Sequence, residues 1–63
     1  MTREDATERV AVIVNAAVAD HIPEDLILRA VKAARLWAAV NEKGLEDQVQ
    51  FLERTIARMM ATT

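Results

Sequence analysis

Apolar residues recur along this chain at the three-and-four spacing of helices rather than the alternation of strands. In a first stretch, Ala6, Val10, Ile13, Ala17 and His21 share one side of a helical wheel, with Val14 and Val18 beside them. Glu4, Asp5, Glu8, Arg9 and Asp20 lie largely elsewhere. The run Val10–Val14 is rich in β-branched residues and has a competing reading as a strand. Its alanine-rich flanks, with neither glycine nor proline between Thr2 and Pro23, favour a helix over about 3–20. Thr2 with Asp5 resembles a capping box, in which the hydroxyl satisfies a free amide of the first turn.

A second stretch places Leu26, Ala30, Ala33, Trp37 and Val40 at steps of 4, 3, 4 and 3, the heptad rhythm. Pro23 suits a first helical position, where its missing N–H costs nothing. Glu24 and Asp25 put negative charge at the positive end of the helix dipole. Lys43 and Gly44 are expected to close this helix, over about 23–43, with Gly44 left-handed and Leu45 folding back in a Schellman ending. In a third stretch Leu45, Val49, Leu52, Ile56 and Met59 repeat the rhythm, and charged or amide residues fill most of the remaining circumference. That pattern predicts a helix over about 46–61 with a narrow, coiled-coil-like seam.

Two matched seams joined by a turn predict an antiparallel helical hairpin, and with the first helix an all-α single small domain spanning 1–63. The second helix also carries Leu28, Val31, Leu36 and Ala39 away from its seam, and the first carries Ala11, Val12, Ala16 and Ala19. A monomer would leave this second set wet, and a chain of 63 residues has a small core. The expectation is an intertwined or bundled homodimer with Val10, Ile13, Val14, Ala17, Leu26, Ala30, Ala33, Trp37, Val40, Leu45, Val49, Leu52, Ile56 and Met59 as its core and oligomer contacts.

Composition narrows the chemistry. Ten acidic and eight basic residues give a net charge of −2, so nucleic acid is not the favoured partner. There is no cysteine, one histidine and one glycine, which leaves no thiol nucleophile, no His-rich metal centre and no phosphate-binding glycine loop. An enzyme, a cofactor, a metal and a small-molecule substrate are therefore not expected. The mixed charges of the first residues do not suit a secretory signal. The apolar run Val10–Ala19 is about half of the ~20 residues that span a bilayer. A complete, cytoplasmic protein of bacterial or phage type is expected.

The charges are uneven: residues 1–25 hold six acids and two bases, whereas residues 26–63 hold four acids and six bases. That asymmetry suggests electrostatic docking between the first helix and the hairpin, within or between chains. His21 sits among Asp20, Glu24 and Asp25, a grouping open to a hard cation or a pH switch. It also straddles a turn, where polar residues are ordinary, and the structural reading is preferred.

Two surfaces are candidates for binding. Phe51 lies off the third seam near Asp47, Arg54 and Arg58, and an aromatic flanked by arginines has the composition of an interface hot spot. An ordinary core role for Phe51 is equally compatible with the pattern. Leu28, Arg29, Lys32, Arg35 and Leu36 form a second surface, apolar and basic, open to phosphates or an acidic protein face, with a solvated helix face whose acids sit on the neighbouring chain as the preferred reading.

The leading expectation is a small non-enzymatic regulatory or adaptor protein, an inhibitor, anti-activator or chaperone, that binds a larger protein stoichiometrically. The alternative is a dimeric DNA-binding regulator or antitoxin. Ile22-Pro-Glu-Asp-Leu26, followed by a helix, a glycine turn and a second helix, resembles the ribbon-helix-helix repressors over about 22–61. That resemblance implies a strand just before the first helix, paired across the dimer and reading the major groove. Here the β-branched run ends at Val14, well before Ile22, with Asn15 as its one base-reading side chain. The conformation of residues 10–20 discriminates the two: a strand favours DNA, a helix favours protein.

Overall fold

The computed structural model describes residues 1–40 and 43–62. They form three helices, α1 (Arg3–Ala19), α2 (Glu24–Val40) and α3 (Gly44–Thr62), and no strand is present among the described residues. Residues 10–14 lie within α1. Their β-branched side chains cost helix propensity of only a few tenths of a kcal/mol each. A good cap and turn-free flanks outweigh that.

The cap forms at Thr2. Its backbone is extended (φ −85°, ψ 163°), and its hydroxyl accepts from the Asp5 amide at 3.1 Å. Its carbonyl accepts from the Ala6 amide at 3.0 Å. The other end of α1 closes with a full Schellman motif. The His21 amide donates to the Val18 carbonyl at 3.1 Å and the Ile22 amide to the Ala17 carbonyl at 3.2 Å. His21 occupies the left-handed position, with φ 61°. Histidine is one of the few residues besides glycine found there with some frequency. Ile22, 5% exposed, packs in the same buried cluster as Ala17, which supplies the apolar contact that accompanies this ending. His21 is itself exposed, and not on the buried face of the helix.

The sequence pattern placed that ending at Gly44, and the structure moves it. Gly44 has no positive φ and is the first residue of α3. The Lys43 carbonyl accepts from the Glu46 and Asp47 amides, both at 3.2 Å, so Lys43 opens α3 and lies outside α2. Gly44 is needed for a different reason. A Cβ there would collide with the Trp37 carbonyl oxygen and stand 3.1 Å from Ala38 Cα. The two helices approach at backbone distance, and only hydrogen fits between them.

Helix α2 starts one residue later than its sequence suggests. The Pro23 carbonyl accepts from the Leu26 and Ile27 amides at 3.1 and 3.2 Å, which makes Pro23 the cap and Glu24 the first helical residue. Its inward stripe also differs. Ile27, Ala30 and Ala34 are buried, Leu26 and Ala33 are half-buried, and Trp37 is 47% exposed. The side chain of Val40 lies outside the described residues. Two helical stripes pass through Ala30, and packing selects the one through Ile27 and Ala34, whose alanines let α3 come close.

Helix α3 packs against both of the others, which touch one another far less. Val49, Leu52 and Ile56 are buried along it, with Leu45 and Met59 half-buried at the ends of the seam. Val10, Ile13 and Val14 of α1 are also half-buried, and Ala17 is fully enclosed. The amino terminus, 3.8 Å from Glu46 Oε1, brings the starts of α1 and α3 to the same end. Among the described residues nine apolar side chains are buried, four of them alanine, and Leu52 is the largest that is fully enclosed. The core is therefore small, and much of the apolar surface lies outside it.

Candidate interaction surfaces

Phe51 stands on the flank of α3 that faces α2. It is half-buried and packs against the core cluster, so the core and surface readings of this residue meet in one side chain. Its ring lies 6.1 Å from that of Trp37, centre to centre, tilted by 41°. That arrangement is within the favourable range for an aromatic pair. The Thr55 hydroxyl donates to the Phe51 carbonyl at 2.8 Å, which satisfies a half-buried polar group within the helix. Asp47 and Arg54, one turn to either side, and the adjacent Gln50 line a shallow cleft with both rings. Three of the four residues expected on this surface are thus brought together. Arg58 is exposed further along α3 and does not line the cleft.

Trp37 joins this group although the heptad frame put it among the core and oligomer contacts; within the single chain it stands on the rim as the second wall of the cleft. A tryptophan one helix away from a lone phenylalanine was a usable signal, because a half-exposed aromatic pair and a nearby arginine are the enriched residue types of binding surfaces.

Leu28, Arg29, Lys32, Arg35 and Leu36 are all exposed on α2. Leu28 and Leu36 show 51% and 70% of their surface to water. They point away from Ile27, Ala30 and Ala34, and so away from α3. Leu28 also borders an apolar groove with Val14, Val18, Ile22 and Ile27, where α1 and α2 diverge from their connecting turn. That groove went unseen in the sequence, since it depends on the turn geometry that His21 sets.

Comparison with protein families, characterised proteins and solved structures gives no match.

Among the described residues no polar or charged side chain is buried, and no three His, Asp or Glu side chains are placed to share a metal ion. His21, Asp20, Glu24 and Asp25 are each exposed around the α1–α2 turn. No helix among the described residues is long and apolar enough to cross a membrane. What the molecule presents is helical surface: a paired aromatic cleft on one side, and apolar, charged faces on α1 and α2.

Proposed function

We propose that this chain is a small, non-enzymatic regulatory protein that acts by binding a larger protein stoichiometrically, with α2 and α3 forming an antiparallel hairpin inside a homodimer. The observation that carries this reading is the half-exposed Trp37–Phe51 pair with Arg54 and Asp47 at its edge. Aromatic and arginine side chains are the usual anchors of protein interfaces, because they bury large area with little loss of freedom. A partner helix laid along the α2–α3 flank would cover both rings and leave Asp47 and Arg54 on the rim, where charge sets orientation. The absence of buried polar side chains among the described residues fits a binding surface better than a catalytic pocket, which withdraws its acid and base groups from water.

The test is capture from nuclease-treated host lysate on the tagged chain, compared with Phe51→Ala and Arg54→Ala. One protein retained in stoichiometric amount by the wild type and lost from both variants is the expected result. Capture unaffected by either substitution would overturn the choice of surface. The ribbon-helix-helix alternative requires a paired strand before its first helix, and residues 10–14 lie within α1. Tight binding to duplex DNA with steep salt dependence would favour that alternative instead.

A further inference from the structure

We propose that the outward faces of α1 and α2 are two halves of one self-complementary interface, each covered by the other in a second copy of this chain. The exposed area gives the first reason. The chain shows 4742 Å² to water. A compact monomer of its mass is expected to show about 4,000 Å². The excess, roughly 700 Å², belongs partly to the elongated shape (33 × 17 × 17 Å) and partly to apolar side chains left uncovered on α1 and α2, where a stable interface would need ~800 Å² from each partner.

Charge and spacing give the second. On α1, Glu4, Glu8 and Val12 succeed one another at four-residue steps on the side away from the core, and Val12 is 67% exposed. On α2, Leu28, Lys32 and Leu36 succeed one another at the same steps, also outward, with Arg29 and Arg35 beside them. Acids predominate on the first face, with Arg9 at its edge, and bases on the second, which Asp25 opens; both are apolar in part. Aligned on their middle members, the two ladders place Glu8 against Lys32 whichever way the helices run. Val12 then meets one leucine and Glu4 the other, and Asp5 lies near an arginine. Small residues on the outward side of α1, Ala11, Asn15 and Ala19, allow a neighbouring helix to lie close.

The chain carries both complements, and among the described residues no ion pair engages Glu8, Arg29, Lys32 or Arg35 within one molecule. In a two-fold dimer each contact therefore occurs twice, α1 on α2 of the second copy and the reverse. The inference rests on the dimer in the proposed function but not on any larger partner, and it uses neither Phe51 nor Arg54.

The test is a charge exchange followed by light scattering after size-exclusion chromatography. The wild type is expected to be a dimer. Glu8→Lys and Lys32→Glu each place like charges together twice per dimer, and each is expected to raise the dimer dissociation constant roughly tenfold or more. The double variant Glu8→Lys/Lys32→Glu restores opposite charges and is expected to recover most of the affinity. Glu53→Lys, an equal charge change on α3, should leave the dimer intact. Leu36→Glu tests the apolar part independently and should also give monomer. Circular dichroism confirms that each variant keeps its helices, since every altered side chain is exposed. A monomeric wild type, or single reversals that dimerise like Glu53→Lys, would overturn the proposal. Loss of lysate capture in Phe51→Ala with the dimer unchanged would leave it standing, which separates its failure from that of the binding function.

Discussion

Helices α2 and α3 follow the same heptad rhythm and differ in how they use it. Helix α3 directs Val49, Leu52 and Ile56 inward, and its remaining large apolar residues, Leu45, Phe51, Met59 and Met60, are all at least partly covered. Helix α2 buries Ile27 with two alanines and leaves Leu28, Trp37 and Leu36 at 51%, 47% and 70% exposure. A helix with one apolar stripe has one way to bury it. A helix with apolar residues on opposite sides satisfies one side within the chain and offers the other to whatever comes next. The core of this molecule is organised around α3, and the large apolar helix side chains it leaves uncovered lie on α1 and α2.

The contrast is broken most severely at Leu52. It is fully enclosed, and Leu52→Ala should cost about 2–5 kcal/mol through lost burial and the cavity left behind. Chains of this size have only a few kcal/mol to lose, so urea titration should find the variant largely unfolded. The next effect lies at Gly44. Alanine is favoured over glycine inside a helix by about 1 kcal/mol, yet the added methyl group would meet the Trp37 carbonyl. Forcing α2 and α3 apart costs about 1–3 kcal/mol, so Gly44→Ala should lower the melting temperature despite its better propensity.

His21→Gly should do the opposite. The left-handed conformation costs a residue with a side chain about 1–2 kcal/mol, and glycine's greater freedom when unfolded returns part of that gain. A net stabilisation of about 0.5–1 kcal/mol in denaturant titration is expected. The smallest effect on folding belongs to Leu36→Ser, which should move the monomer's stability by under about 0.5 kcal/mol. Its effect should appear in self-association instead, which is what separates the outward side of α2 from the seam of α3.

The sequence made α3 legible because its seam forms one stripe, whose middle positions are buried and whose ends, Leu45 and Met59, are half-buried. It also located the Thr2 cap, since a hydroxyl two residues before a charged turn has one obvious use. In α2 two stripes share Ala30. Bulk favoured Leu26 and Trp37, whereas close packing against α3 selected Ile27 and Ala34, and periodicity has no measure of that closeness. The single glycine drew the left-handed turn to itself in the same way. The structure gives that conformation to His21 and uses Gly44 for a backbone contact that only tertiary packing creates. The wheel positions of Phe51, Asp47 and Arg54 predicted that they would lie together, as they do around one cleft. Trp37 was not grouped with them, because the heptad frame assigned it to core and oligomer contacts.

Sedimentation equilibrium of the unaltered chain, from low to high micromolar concentration, tests most directly whether the outward faces of α1 and α2 find a second copy. A dimer held there gives a mass that rises toward twice the 7.0 kDa of one chain as concentration increases. A mass that stays at 7.0 kDa throughout would contradict it, and would leave the exposed leucines of α2 as ordinary surface.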